Sequence, residues 1–244
     1  MTNLMHGQNV TPTSRSFLLE ARPGPIAIDI ANTAVLVVDM QNDFCSKSGM
    51  FDQKGMDVSL IRAIIDPIAK VLAAARKSGM KIIYIKMGYH EDLSDLGEPN
   101  SPNRDRHLLF HVGNTVIAPD GSKSRVLIRD NWGTEVIPEL KPHDEDIAIY
   151  KTRFSGFYNT DLDLTLKRLR IKQLIVTGCT TSVCVESTVR DAMFRDYSPI
   201  VLEDCTAEPM GSGYPRSNHE ASLFNIQTVL GWVSNSQEVI RILK

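Results

Sequence analysis

Three residues of the kinds that carry out nucleophilic and acid–base chemistry stand at or just beyond the ends of short apolar runs. Asp39 follows one run, Lys151 closes a second, and Cys184 comes shortly after a third. A thiol attacks carbonyl carbon once it loses its proton, and a carboxylate can accept that proton and return it to a leaving amine. Because a lysine or a helix N-terminus stabilises a thiolate, the combination predicts nucleophilic hydrolysis.

Each of these residues also has a purely structural explanation. Polar residues commonly end strands, a terminal lysine such as Lys151 is commonly solvated, and a cysteine flanked by Val183 and Val185 is commonly a small buried apolar residue. The coincidence at three strand ends favours a functional interpretation, whereas residue type and spacing alone leave both explanations open.

The apolar runs are short, rich in β-branched residues and continuous rather than alternating, which is typical of strands buried on both faces. Segments with apolar residues at helical spacing separate them. Strands that alternate with helices predict an α/β fold, a three-layer α/β/α sandwich with a mainly parallel central sheet. The predicted strands are Ala34–Val38, Lys81–Met87, Asp146–Lys151, Gln173–Thr177 and Pro199–Glu203, and the predicted helices are Leu60–Ala75, 162–169, 185–193, 218–232 and 236–243.

The predicted topology also places the candidate site. In an open parallel sheet, ligands bind beyond the carboxyl ends of the strands, where the three candidate residues stand. Residues 88–133 are dense in glycine, proline and asparagine, and so long an irregular stretch predicts a lid or an interface. Residues 1–25 are expected to form an N-terminal arm, and residues 26–244 a single domain.

Composition excludes several classes of protein. The 244 residues carry 27 basic and 29 acidic side chains, and 42% are hydrophobic. This balance is typical of globular proteins, and it argues against disorder, membrane spans and nucleic-acid binding. Four cysteines without a C-x-x-C pair predict neither a zinc knuckle nor a disulfide framework. Because residues 1–25 lack the pattern of a signal peptide, we expect a cytoplasmic location.

Three strings resemble those of the isochorismatase-like cysteine hydrolases. They are VVDMQNDF at 37–44, YKTRFSGF at 150–157 and VTGCTTSVCVESTVRDA at 176–192. The resemblance implies a catalytic triad of Asp39, Lys151 and Cys184. It also implies a cis peptide between Cys179 and Thr180, an oxyanion hole formed by the amides of Thr180 and Cys184, and a structural role for Cys179.

Within that family, four further strings are similar to those of ureidoacrylate amidohydrolases: SPN at 101–103, RFSGF at 153–157, CVEST at 184–188 and LFNI with GWVS at 223–234. Two positions differ from that pattern: Met87 stands where an asparagine is expected, and Phe154 stands where a tyrosine is expected. Both differences remove a hydrogen-bonding group beside the expected pocket, which could redirect specificity. The expected substrate-binding residues are Asn42, Phe44, Met87, Tyr89, Asn103 and Phe154.

The resemblance therefore implies a cysteine-dependent amidohydrolase that cleaves a C–N bond of a small ureide or amide through a thioester and releases ammonia or an amine. It also implies a homodimer or homotetramer. No cofactor is expected, because the sequence has no glycine-rich phosphate loop. Two alternatives stay open: hydrolysis of a vinyl ether, as in isochorismatases, and a non-catalytic binding or redox-sensing protein on the same fold.

Histidines offer a weaker candidate site. His107 and His111 are four residues apart and could share a helix face as metal ligands, but no third ligand follows at a recognisable spacing. We therefore expect no metal, and we expect these histidines at a surface or an interface. His219 and Glu220 stand where a helix is predicted to begin, and they are expected to serve its first turn.

Overall fold

Nearly every predicted apolar run forms a strand of one sheet. The computed structural model describes residues 16–244. The strands are β1 (Ser16–Leu19), β2 (Ile26–Asp29), β3 (Thr33–Val38), β4 (Lys81–Met87), β5 (Thr115–Ile117), β6 (Lys123–Arg125), β7 (Ile147–Lys151), β8 (Gln173–Cys179), β9 (Ser198–Ala207) and β10 (Trp232–Ser234). The helices are α1 (Asn42–Cys45), α2 (Met50–Gln53), α3 (Ser59–Ala63), α4 (Ile65–Ser78), α5 (Pro102–Leu109), α6 (Leu162–Arg168), α7 (Glu186–Met193), α8 (Asn218–Asn225) and α9 (Ser236–Leu243).

The main sheet has six strands in the order β10-β9-β8-β3-β4-β7. Every neighbouring pair in this sheet is parallel. The carboxyl ends of all six strands therefore lie along one edge, where the polar residues that follow β3, β7 and β8 meet. The predicted parallel sheet is confirmed.

Helices cover both faces of the sheet, as the sequence predicts. Alternate residues of β3 face opposite layers, because side chains along a strand alternate between faces. Val35 and Val37 pack in a core with residues of α4 and α9, whereas Leu36 and Val38 pack in a second core with residues of α6 and α7. All six residues of β3 are buried, which explains its continuous apolar run.

Two predicted helices differ from the structure. The segment 60–75 forms two helices, because α3 ends before Ile64 and α4 begins at Ile65. Pro67 lies in the first turn of α4, where no intrahelical amide donor is needed. Gly79 ends α4 in the left-handed region, with φ of 82°. The predicted helix 218–232 is wrong beyond Leu230, because Trp232–Ser234 forms the edge strand β10 beside β9.

Residues 1–15 of the expected N-terminal arm lie outside the described residues. Residues 16–19 form β1, which pairs with β2 in an antiparallel hairpin. Beyond β1, the backbone amide of Arg22 donates to Val233 of β10 at 2.8 Å, and the amide of Val233 donates back at 3.0 Å.

The segment 88–133 lies outside the main sheet. It holds α5, the antiparallel pair β5–β6 and several turns. Arg129 fastens the last part of this segment to its beginning, just after β4, because the Arg129 amide donates to the carbonyl of Tyr89 and the side chain donates to that of Gly88. Within residues 16–244, no helix is long and apolar enough to cross a membrane.

Candidate active site

Asp39 and Lys151 reach the site from strand ends separated by one strand. Asp39 is the first residue after β3, its amide donates to the carbonyl of Ile85, and its φ of 53° lies in the left-handed region, which aspartate tolerates better than most residues. Lys151 ends β7 and pairs in register with Met87 of β4. The lysine side chain therefore extends across the end of β4 to reach the carboxylate.

Cys184 is brought to the same place by the turn that follows β8. The strand approaches β3 so closely at Gly178 that a Cβ there would lie 2.0 Å from the carbonyl oxygen of Val38. The peptide between Cys179 and Thr180 is cis, as the resemblance implies. A π-helical turn, Thr181–Val185, then presents Cys184 immediately before α7.

The three side chains are in contact. Lys151 Nζ lies 2.8 Å from Asp39 Oδ2 and donates a hydrogen bond to Cys184 Sγ at 3.2 Å. Asp39 is 1% exposed, Lys151 is fully buried and Cys184 is 5% exposed. Lys151 interacts with the carboxylate of Asp39 as an ion pair without a hydrogen bond, because neither oxygen of Asp39 has a well-oriented hydrogen-bond donor within residues 16–244. The carboxylate therefore keeps lone pairs that could accept a proton.

Burial has the largest single effect on the pKa values of these three side chains. It raises the pKa of Asp39 above its ordinary value against the opposing charge of Lys151. It acts to lower the pKa of Lys151, but the charges of Asp39 and Cys184 outweigh it and raise that pKa. Burial, and then the charge of Asp39, raise the pKa of the Cys184 thiol well above its usual range, although Lys151 acts to lower it. Burial and the charge of Asp39 therefore favour the protonated thiol, whereas Lys151 favours the thiolate that the sequence predicts.

The turn at Thr180 supplies backbone donors beside the sulfur. The Thr180 carbonyl accepts from the amides of Val183 and Val185, so it caps the turn. The amide of Thr180 itself has no acceptor among the described residues, and Thr180 lines the same cavity as Cys184. This arrangement leaves a backbone N–H available to a developing oxyanion.

A cavity of about 260 Å³ opens onto Asp39 and Cys184. Its wall is mainly apolar, with a few polar side chains that could orient a small molecule. The apolar part is formed by Phe44, Met50, Phe51, Met87, Phe110, Leu127, Phe154, Val183 and Met210.

Three of the expected substrate-binding residues line this cavity, namely Phe44, Met87 and Phe154. The other three do not line it. The Asn42 amide donates to the carbonyl of Trp132, Asn103 donates to that of Leu96, and the Tyr89 hydroxyl donates to that of Thr152. These side chains hold the loops around the cavity in place, so the structure gives them a supporting position rather than a direct one.

Two cavity residues on α5 were not predicted to bind substrate. Arg106 is an exposed residue that borders the cavity and has no ion-pair partner within residues 16–244. His107 is 6% exposed and also lines the cavity, so its expected place at a surface is wrong. Neither α5 nor its buried face is signalled by the sequence, because the helix is short and mostly polar.

Two further polar residues support the site without lining it. Gln41 pairs with the main chain of Met87 through both ends of its amide, at 2.9 Å each, and so fixes the end of β4 to the segment after Asp39. Glu208 follows β9. Its carboxylate accepts from the amide of Ser182 in the π-helical turn Thr181–Val185, called here the nucleophile turn, and from the amide of Met210 at the cavity wall. Both residues could have been predicted as part of the site from the sequence. Gln41 lies inside one of the strings that resemble the family, and Glu208 lies beyond the end of the predicted strand Pro199–Glu203.

The remaining histidines take separate places. His111 follows α5, and its Nε2 lies 2.9 Å from Lys54 Nζ, whereas His107 faces the cavity. Glu220 serves the first turn of α8 as expected, but His219 Nδ1 lies 2.8 Å from Thr181 Oγ1 in the nucleophile turn. Across the described part of the chain, no group of three or more histidine, cysteine or acidic side chains could hold a metal ion.

The chain is similar to several known proteins. The ureidoacrylate amidohydrolase RutB of Caulobacter segnis is 39% identical over 230 residues, covering 94% of this chain and 93% of its own. RutB of Variovorax paradoxus is 39% identical over 227 residues, covering 92% and 86%. The crystal structure of a cysteine hydrolase from Pseudomonas syringae pv. phaseolicola superposes with a TM-score of 0.74 at 34% identity, covering 88% of this chain and 94% of its own. The family profile described as the Isochorismatase domain matches residues 33–238. The chain belongs to the isochorismatase family.

Proposed function

We propose that this protein is a cysteine-dependent amidohydrolase that cleaves a C–N bond of a small ureide, and that ureidoacrylate is its substrate. The observation that carries the proposal is the contact of Asp39, Lys151 and Cys184 at the wall of a cavity of small-molecule size. The likeness to ureidoacrylate amidohydrolases over more than nine-tenths of the chain supports the substrate class.

In the first half-reaction, the Cys184 sulfur attacks the ureido carbonyl carbon while its proton passes to Asp39. The raised pKa of Asp39 makes it a stronger base than an exposed carboxylate, and Lys151 keeps the buried charges balanced. The amides of Thr180 and Cys184 stabilise the oxyanion. The carbonyl–nitrogen bond then breaks, Asp39 returns the proton to the leaving nitrogen, and a thioester remains on Cys184.

The second half-reaction uses the same groups. A water molecule gives a proton to Asp39 as its oxygen attacks the thioester carbon, and the same amides stabilise the second oxyanion. The carbon–sulfur bond breaks, the sulfur takes the proton back, and the acid product leaves. Because burial and the charge of Asp39 favour the protonated thiol, proton transfer accompanies attack instead of preceding it.

The cavity wall supports an anionic substrate. Arg106 offers a guanidinium without an ion-pair partner within residues 16–244, which suits the carboxylate of ureidoacrylate. Met87 and Phe154 make their part of the wall less polar than the asparagine and tyrosine expected there, so hydrogen bonds from those two side chains do not contribute to binding. The charge of the substrate therefore carries more of its recognition.

A cytoplasmic location and a homodimeric or homotetrameric assembly also belong to the proposal. All four cysteines are free and buried, which suits a reducing compartment.

Ammonia release from a panel of compounds tests the proposal. The panel contains ureidoacrylate, biuret, a carbamoyl amino acid and a simple amide. We expect ureidoacrylate to have the highest kcat/KM. Much higher activity on another compound would overturn the substrate and leave the reaction class, whereas no hydrolysis of any member would favour a binding or redox-sensing protein.

A further inference from the structure

His107 is the residue of the cavity wall whose hydrogen-bonding state is fixed by the main chain. Its Nδ1 lies 2.6 Å from the carbonyl oxygen of Asn103, one turn earlier in α5. A carbonyl oxygen only accepts hydrogen bonds, so Nδ1 carries the hydrogen. In the neutral ring, Nε2 then has a free lone pair and acts only as an acceptor.

The ring is held rigidly. It meets Tyr89 edge-on at 5.4 Å between ring centroids and lies beside Phe154 at 5.5 Å with an interplanar angle of 30°. Burial, reinforced by the charges of Lys151 and Arg153, lowers the pKa of His107 below its ordinary value. The neutral form is therefore favoured at neutral pH, and the small exposed part of the ring belongs to the cavity wall.

Most of the rest of the cavity wall is apolar and offers few acceptors, and the amide of Thr180 is a donor. Apart from Asp39, which the reaction uses, and the Thr180 hydroxyl, His107 supplies the one strong side-chain acceptor on the wall within residues 16–244. A ureide carries N–H groups as well as a carbonyl, and burying an N–H without an acceptor is costly.

We infer that His107 determines specificity: its Nε2 accepts a hydrogen bond from a ureido N–H of the substrate and so selects ureides that keep that hydrogen. This inference rests on the proposed function, because it concerns the substrate of the same cavity. It predicts that a substrate whose recognised nitrogen has every hydrogen replaced by methyl is rejected, since this removes the donor and fills the place of the hydrogen bond.

Ureidoacrylate and two analogues test the inference; in each analogue, one of the two ureido nitrogens has all of its hydrogens replaced by methyl. We expect wild type to prefer ureidoacrylate over one analogue by about 30-fold or more in kcat/KM. His107→Phe keeps the ring but lacks the acceptor, so that preference should fall to within about threefold. His107→Gln places an amide oxygen near the position of Nε2 and should restore part of it.

His111→Asn is the matched control, because His111 lies four residues further along and does not line the cavity. It should keep the wild-type preference. Unchanged discrimination against both analogues in His107→Phe would overturn the inference, as would equal loss of activity on all three compounds, since a merely structural role affects them alike.

Binding separates this inference from the proposed function. Calorimetry with Cys184→Ala, alone and combined with His107→Phe, measures Kd for the same three compounds without turnover. We expect the single variant to bind ureidoacrylate about 30-fold more tightly than one analogue, and the double variant to bind both about equally. If wild type does not hydrolyse ureidoacrylate but this binding pattern is observed, the proposed function is contradicted and the inference about His107 is not. Equal Kd values for the single variant, or no binding at all, overturn the inference.

Discussion

The end of the sheet and the wall of the cavity are built in different ways. The sheet end places Asp39 and Lys151 on buried parallel strands, and the turn after β8 adds Cys184, so the reacting groups sit at the end of the buried sheet. The opposite wall comes from the segment 88–133, through α5 and Leu127, which lie outside the main sheet. The comparison assigns chemistry to the sheet and selection of substrate to the segment, because the sheet end holds the carboxylate, the ammonium and the thiol in contact at the cavity.

The largest expected effect breaks the sheet side. Asp39→Asn keeps the shape of the side chain but cannot accept the thiol proton, so kcat for ureidoacrylate should fall by about 10³-fold or more. Steady-state ammonia release measures this loss. KM should change little, because the carboxylate acts on the reacting proton and not on the distant groups of the substrate.

Asp146→Asn is the matched control for that variant. Asp146 forms a buried ion pair with Arg76 at the other end of β7, far from the cavity. Breaking this pair should lower the free energy of unfolding while kcat stays near wild type. An Asp39→Asn protein that stays folded and retains kcat would contradict the division between the two regions.

A smaller effect is expected from the wall. Arg106→Gln removes the guanidinium, so KM for ureidoacrylate should rise by about 10- to 100-fold while kcat changes little. The neutral amide of ureidoacrylate serves as comparison substrate, and its KM should be nearly unchanged. Arg104→Gln, on the same helix but outside this cavity, is the control. An equal rise in KM for the charged and the neutral compound would remove the role of Arg106 in recognising charge.

Asp43 contacts both regions. Of the residues considered, it is expected to affect the rate least, and its expected effect is on stability. Its buried carboxylate accepts from the amide of Leu127 at 2.8 Å and from that of Met50 at 3.3 Å, and both residues line the cavity. Burial raises the pKa of Asp43 to about 6. Between pH 4 and 6 the folded protein therefore holds a proton that the unfolded chain releases, and this group contributes less stability as pH rises.

Asp43→Asn lacks that titration. The free energy of unfolding of wild type, relative to the variant, should fall by about 2 kcal/mol between pH 4 and pH 7. Chemical denaturation of both proteins at the two pH values measures this change. A difference that stays the same at both pH values would show that Asp43 does not titrate in this range in the folded protein.

The sheet and its reactive residues were predictable because burial leaves a simple trace in the sequence. A strand covered on both faces, such as β3, reads as a continuous apolar run, and a charged residue at its end stands out. The place of Asp39 and Lys151 follows from that trace and the parallel topology. The strand Trp232–Ser234 left no such trace, because it has three residues and continues an apolar spacing that suits a helix.

The part of the wall formed by α5 was not predictable, because its properties arise from contacts distant in sequence. His107 is buried by Tyr89 and Phe154, which lie in separate loops, while α5 itself is polar. The opposing influences on Cys184 also come from residues distant in sequence. Lys151 acts to lower the pKa of the thiol, whereas burial and the charge of Asp39 act to raise it.

The most direct test of the central claim is to look for the covalent intermediate on Cys184. Wild type mixed with ureidoacrylate and quenched in acid is digested and analysed by mass spectrometry. We predict an adduct on the peptide that contains Cys184, none in Cys184→Ala, and a fall in ammonia release of about 10⁴-fold or more in that variant. Ammonia release by a folded Cys184→Ala protein at a rate near that of wild type would contradict the account.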